Sequence, residues 1–510
     1  MTDKRASGVL MHISSLPGNT GIGTMGKSAY DFVDFLKSAK QRYWQILPVC
    51  PTSYGDSPYQ SFSTFAGNPY FIDLDMVCED GYLKKQDYDS INWGEDEKSV
   101  DYGLLYIERH KVFKKIQQNF IKNPPNDYNA FCDENSFWLD DFALFMAIKD
   151  EHDGVQMSKW ENEIRRYDKS IVQMWRVKCS ERVQYYKMLQ YFFYKQWFKL
   201  KSYANKHGIY IVGDLPIYVS GDSADVWANP KLFDLDENNM PNEVAGCPPD
   251  VFSEDGQLWG NPVYNWRYHK RTKYKWWIKR IEMSLKFYDV VRIDHFRGFE
   301  SYYCIKADAK TAKKGVWRKG PAMDLWNMVN KKLKNVPIIA EDLGFLTDGV
   351  RKLLKDSGFP GMKILQFAFD ADEESDYLPH NYEKNTVVYT GTHDNDTILG
   401  WIMSADDESL EYAKDYLRAN DNNLAECMMI SAMQSPANTC ILTMQDLIGL
   451  GTQARMNIPS TVGENWKWRV TKDQITSEIA EWLRRYTEIY CRCKKPVIVK
   501  GKNENEQSKE

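Results

Sequence analysis

Short β-branched runs recur along the chain, each closing on polar residues, and most lead into a stretch whose apolar positions repeat every three to four residues. The runs predict strands over residues 8–13, 43–49, 210–216, 290–295, 338–343, 363–367, 387–392 and 440–447. Helical patterns separate them, for example over 29–38, 269–287, 348–356 and 424–435, with a last helix over 475–491. Eight strands alternating with helices predict an α/β fold, a (β/α)8 TIM barrel. An open, doubly wound sheet is the second reading, because periodicity does not say whether a sheet closes.

Two spacings are too long for a minimal barrel. About 160 residues separate the second and third strands, with helical patterns over 100–121, 136–152 and 181–207. They predict a mainly helical insertion over 75–180, the last helix returning to pack on the sheet. Residues 220–266 are rich in Pro, Gly, Asn and Asp and carry Trp227, Phe233, Phe252, Trp259, Tyr264 and Trp266. A loop of that length and aromatic content predicts an ordered lid at the C-terminal face. Residues 1–500 then form one barrel domain and 501–510 a disordered polar tail.

Composition narrows the function classes. A hydrophobic share of 43% provides for a large core, and 66 basic against 71 acidic residues leave a net charge of −5. That balance argues against a general nucleic-acid binder. The apolar run after Lys4 and Arg5 is too short for a signal-peptide core, and no stretch reaches the ~20 apolar residues that span a bilayer. Ten scattered cysteines without a C-x-x-C pattern fit free thiols in a reducing compartment, so a cytoplasmic protein is expected.

Acidic residues stand at the ends of five predicted strands: Asp214, Asp294, Glu341 with Asp342, Asp394 and Asp446, and histidines accompany two of them, His295 and His393. Carboxylates gathered at one barrel face repel one another, and in this fold that face is where active sites lie. Such acids can ligate Mg²⁺ or serve as the acid and nucleophile of a glycosidase. Arg292 favours the second use. Two residues from Asp294 on one strand, it shares that side chain's face, would hold Asp294 ionised and would weaken a metal site. Glu341, facing other carboxylates, is expected to have its pKa raised, as a general acid requires.

Residues 21–28, G-I-G-T-M-G-K-S, satisfy both the dinucleotide and the P-loop patterns. A phosphate loop follows its strand directly, whereas residues 14–20, with Pro17 and Gly18, intervene here. Nucleotide binding is therefore the remote reading. There is no H-E-x-x-H, no Cys/His ligand cluster and no G-x-S-x-G, which argues against a zinc site and a serine-hydrolase elbow.

The segments V-R-I-D-H-F-R-G, I-A-E-D-L-G and T-G-T-H-D-N-D-T, in this order, resemble the amylomaltase or disproportionating-enzyme family, the 4-α-glucanotransferases, relatives of the α-amylases. Further matches are S-S-L-P-G-N-T-G-I-G, S-P-Y-Q-S-F-S-T-F-A-G-N-P-Y, G-D-L-P-I-Y-V, G-C-P-P-D-V-F-S and G-Q-L-W-G-N-P-V-Y-N-W, so the resemblance runs through nearly the whole chain. It implies Asp294 as nucleophile, Glu341 as acid/base and Asp394 as the third carboxylate, gripping ring hydroxyls. It implies sugar contacts from Ser57, Tyr59, Asp214, Asp250, Gln257, Trp259, Arg292, His295, Asp370, His393 and Asn465. Maltooligosaccharides and α-1,4-glucans are the implied partners, with no cofactor or metal. Composition does not separate a transferase from an α-glucan hydrolase; that choice rests on the resemblance.

Overall fold

The computed structural model describes residues 4–53, 55–249, 254–344, 346–370 and 375–493. Its strands are β1 (Ala6–Leu10), β2 (Tyr43–Gln45), β3 (Tyr210–Leu215), β4 (Glu243–Cys247), β5 (Gln257–Pro262), β6 (Val290–Ile293), β7 (Ser301–Lys306), β8 (Gly315–Lys319), β9 (Ile338–Ala340), β10 (Gly361–Ile364), β11 (Thr386–Tyr389) and β12 (Thr439–Thr443). Eight of them form a parallel sheet in the order β10-β11-β12-β1-β2-β3-β6-β9. The two ends of that order meet. Ala340 N–H donates to the Pro360 carbonyl at 2.9 Å, and Met362 N–H donates to the Asp342 carboxylate at 2.7 Å. The sheet is a (β/α)8 barrel in which a side chain stands in for part of the last ladder.

All eight predicted barrel strands are present, but they stop earlier than the apolar pattern does. Strand β6 ends at Ile293, before Asp294, and β9 ends at Ala340, before Glu341. At His295 the backbone turns to φ +51°, outside the extended region. The acids are thus the first residues beyond the ladder, free to point across the barrel mouth. Outside the barrel, the helix Lys27–Ser38 buries Ala29, Phe32, Val33 and Leu36, the spacing of one helical face. The predicted helix 269–287 is two helices, Trp266–Arg271 and Lys275–Phe287, broken where Lys273 and Tyr274 take φ +55° and +54°. The apolar face continues across the break through buried His269, Tyr274 and Trp277, so periodicity did not register it.

Between β2 and β3 lie the long helices Tyr102–Lys122, Tyr128–Glu151 and Ser180–Lys206. Their Leu105, Phe142 and Trp197 belong to the same continuous core as Val291, Ile339 and Val388 of the barrel. The last helix returns to the barrel wall, where the Trp197 indole donates to the Phe287 carbonyl at 3.1 Å.

Residues 220–266 are more than a loop. They contain a helix, Ala224–Ala228, and strands β4 and β5, which join β7 and β8 in an antiparallel sheet of order β5-β4-β7-β8. The glycines in E-V-A-G-C and Q-L-W-G-N-P mask these strands, and β4's second partner, β7, lies some 60 residues on. Trp227, Phe233 and Tyr264 are core residues, at most 2% exposed, rather than lid residues. Phe252 lies outside the described residues.

The P-loop-like segment is filled from within. Its glycine Gly26 caps the helix Lys27–Ser38, and a Cβ there would lie 1.9 Å from Asp73 Oδ2. The Asp73 carboxylate, held by Thr24 Oγ1 at 2.7 Å, occupies the space a phosphate would need. Lys27 instead faces solvent and pairs with Asp31. Among the described residues no helix is long and apolar enough to cross a membrane, and the ten cysteines are free thiols.

Candidate active site

The barrel register assembles one half of the site. Asp214 on β3 lies opposite Arg292 on β6. Behind this pair, Gly213 leaves room for the Tyr288 ring, which a Cβ there would meet at 2.2 Å. Arg292 Nη1 donates to Asp214 Oδ2 at 2.6 Å and to Asp294 Oδ1 at 3.1 Å. The Tyr59 hydroxyl donates to Asp214 Oδ2 at 2.8 Å. Burial works against charge on Arg292, but Asp214 and Asp294 outweigh it, and the guanidinium stays charged.

Glu341 stands one strand along from Asp294. Ile293 pairs with Ala340, and the Glu341 N–H donates to the Ile293 carbonyl at 3.0 Å, so both acids leave neighbouring strands at the same height. Neighbouring strands lie about 4.8 Å apart. The Glu341 carboxylate accepts from the His295 N–H at 2.6 Å and the Leu343 N–H at 2.8 Å. Burial raises its pKa, against the pull of Arg292 and of these amides. The expectation that Arg292 holds Asp294 ionised left out the opposing pull of burial and of the neighbouring acids. Burial pushes the Asp294 carboxyl up to about 8; Arg292 draws it down, and Asp214, Glu341 and Asp394 raise it further. The guanidinium is shared with Asp214, and that sharing weakens its hold. As a pair, Asp294 and Glu341 retain a proton into the neutral range.

The other half hangs on loops. Asp394 lies five residues beyond β11, its side chain 45% exposed, with Oδ2 3.4 Å from His393 Nε2. Asn457 Nδ2 donates to Asp394 Oδ1 at 2.6 Å, and Arg455 Nη2 donates to the Asp394 carbonyl at 2.5 Å. His393 stacks on Tyr59, centroids 5.0 Å apart at 14°, which joins this half to the Asp214 side. Burial lowers the pKa of His393.

Trp259 meets the His295 ring edge-on at 4.8 Å and donates its indole N–H to Gln257 Oε1 at 3.0 Å, so β5 delivers both to the cleft. Burial lowers His295 to about 3, which keeps it neutral. Ser57 Oγ accepts the Tyr59 N–H at 3.2 Å and so shapes the turn that presents that ring. Asn465 is buried with its amide bonded inside its own loop, to Ile458 N–H and Thr461. Asp370 is exposed beyond β10, and Asp250 lies outside the described residues.

Four residues of this neighbourhood escaped the sequence reading. Trp466, at φ +67°, lies 5.8 Å from Tyr59 and 5.9 Å from His393. His12, two residues past β1, accepts the Leu47 N–H, and burial lowers it to about 3. The strand-end rule applied to the first strand would have found it. Asn457 and Arg455 follow no strand, and nothing in R-M-N-I-P marks them.

A family model described as 4-alpha-glucanotransferase matches residues 11–475. A 4-alpha-glucanotransferase of Clostridium butyricum is 49% identical over 486 residues, covering 95% of this chain and all of that protein. One from Streptococcus pneumoniae is 50% identical over 499 residues, covering 97% of this chain and 99% of that protein. Among solved structures, the amylomaltase from Streptococcus agalactiae in complex with acarbose is similar at a TM-score of 0.94 and 46% identity, covering 96% of this chain and 100% of that one.

Proposed function

The chain belongs to the 4-α-glucanotransferase family, and from that premise we propose that it passes α-1,4-glucan segments between maltooligosaccharides by double displacement, with retention at the anomeric carbon. The observation that carries this reading is the pairing of Asp294 and Glu341 at adjacent strand tips, with Arg292 bonded to Asp294 alone of the two. Asp294 has a cation at 3.1 Å, whereas Glu341 accepts from the neutral amides of His295 and Leu343, so the proton the pair retains belongs on Glu341.

In the first step Glu341 gives that proton to the departing glycosidic oxygen while Asp294 attacks the anomeric carbon, forming a glycosyl ester. In the second, Glu341 takes the proton of an acceptor's 4-hydroxyl, and that oxygen displaces Asp294. A carboxyl separation of about 5–5.5 Å suits this sequence. Asp394 grips ring hydroxyls and favours the distorted sugar; Tyr59 and Trp259 supply flat faces for glucose rings. Water is the competing acceptor, and those rings, packed over the cleft, limit its access.

Incubation with maltotriose tests the reading. Transfer yields glucose and a ladder of longer oligomers with little net gain in reducing ends. A steady rise in reducing ends without longer products would make the protein a hydrolase.

A further inference from the structure

Asp394 projects from a loop five residues past β11, yet it is tied by a short segment some 60 residues downstream. Arg455 and Asn457 close on His393 and Asp394 through three contacts, and a fourth ties them to each other. Asn457 N–H donates to the His393 carbonyl at 3.0 Å, and Asn457 Nδ2 to Asp394 Oδ1 at 2.6 Å. Arg455 Nη2 donates to the Asp394 carbonyl at 2.5 Å, and Arg455 Nε to the Asn457 carbonyl at 2.9 Å. The arginine braces the asparagine, and the asparagine reaches the carboxylate itself.

The loop that follows is built to stay in place. Asn465 accepts from Ile458 N–H and donates to Thr461, holding a stretch with φ +65° at Ser460 and +108° at Gly463. It ends at Trp466, which packs beside Tyr59 and His393. The remaining bonds of the Asp394 loop run elsewhere: Thr392 bonds Asn395, and Asp446 accepts from Ile398 N–H and Thr390. Those fix backbone. Asn457 reaches the exposed carboxylate itself, as a neutral donor on Oδ1, while His393 Nε2 lies 3.4 Å from Oδ2.

We propose that Asn457, braced by Arg455, is a positioning residue for Asp394: it holds one carboxylate oxygen by a neutral amide and leaves the other to sugar hydroxyls. A neutral donor suits the place. A cation there would compete with the sugar, and an acid would add charge to a mouth already holding Asp214, Asp294 and Glu341. The charged or titratable groups facing Asp394 are His393 at 3.4 Å, Arg455, which is spent on carbonyls, Tyr59, and Asp294 across the cleft. The inference rests on the reading of Asp394 given above.

The test is steady-state disproportionation of maltotriose by N457L, N457D and N457S, beside D394N, with each variant's activity expressed relative to wild type from pH 5 to pH 8. N457L is expected to lose about tenfold to a hundredfold in kcat with KM within about threefold, since a misaimed group costs the transition state more than the bound substrate. N457D is expected to lose more at pH 8, where two acids face each other, and to recover at least about tenfold relative to wild type by pH 5, where a shared proton restores a donor. N457S, which folds with a smaller perturbation and keeps a shorter donor, is expected to lie between N457L and wild type. The proposal is overturned if N457L or N457S keeps wild-type kcat, or if the N457D-to-wild-type ratio does not change with pH. D394N separates the two levels. An active D394N would remove the reading of Asp394, whereas an inactive D394N beside a wild-type-like N457L would remove only the role of Asn457.

Discussion

The two halves of the cleft are built by different means. Asp214, Arg292, Asp294 and Glu341 sit on or one residue beyond β3, β6 and β9, where the ladder fixes their height and spacing. Their support is charged and buried: the Arg292 and Asp214 side chains are 4% and 1% exposed. Asp394 sits beyond its strand, 45% exposed, and is held by the neutral amide of Asn457 and the stacked His393–Tyr59 pair. Groups that form and break a bond need the rigidity of a sheet. A group that grips hydroxyls of an incoming chain works from a loop that also lines the entry. The cost of rigidity is electrostatic, since the sheet side crowds three acids around one arginine.

The sharpest way to break this contrast is on the sheet side. Asp294→Asn removes the proposed nucleophile and is expected to lower maltotriose disproportionation by at least about 10³-fold. Retained activity would show that the sheet-borne acids do not perform the chemistry. Arg292→Met leaves the Asp214 carboxylate buried without its cation, and urea unfolding is expected to show a loss of about 3–5 kcal/mol. Arg455→Met on the loop side, which strips donors only from partly exposed carbonyls, is expected to cost about 1 kcal/mol. Equal losses would erase the distinction.

Crowding also gives the sheet side a pH signature. An unfolded aspartate titrates near 3.9, while in the folded chain the Asp294–Glu341 pair, with Asp294 pushed up to about 8, keeps one proton between them. Between those values the folded state keeps a proton that the unfolded state has lost, so stability falls as pH rises through the window. Asn at position 294 removes that dependence. The melting temperature of D294N relative to wild type is expected to climb from pH 5 to pH 8, and a flat difference would mean that Asp294 is not strained by its neighbours. The smallest effect belongs to the contact joining the halves. Tyr59→Phe removes one hydroxyl from Asp214 but keeps the ring on His393, so kcat/KM is expected to fall by no more than about tenfold.

The same division decides what could be read from the chain. β-Branched runs ending in Asp or Glu mark barrel strands because burial and a barrel mouth impose both features on a few consecutive residues. Hence Asp214, Arg292, Asp294 and Glu341 were legible, with their order around the barrel left to the structure. Asp394 was legible as a strand-end acid, but its support was not, because Arg455 and Asn457 reach it across some 60 residues through a loop with no periodicity. The small antiparallel sheet escaped for a related reason. Its strands β4 and β5 are short and glycine-bearing, and β4 is tied to the rest of the sheet through β7, some 60 residues on, so they read as a loop. The upward pull on Asp294 was missed because a neighbouring arginine is visible in sequence, whereas the second acid that shares it, Asp214, lies 78 positions away.

The central claim is that Asp294 and Glu341 bracket one glucosidic bond, the first forming an ester and the second moving the proton. Supplying Glu341→Gln with an α-maltosyl fluoride tests it most directly, since fluoride leaves without an acid and the ester then lacks a base to resolve it. Mass spectrometry of the peptide spanning residues 290–300 is predicted to show a maltosyl adduct on Asp294. An unmodified Asp294 beside an adduct on another residue, or turnover of the fluoride to a product of inverted configuration, would contradict the account.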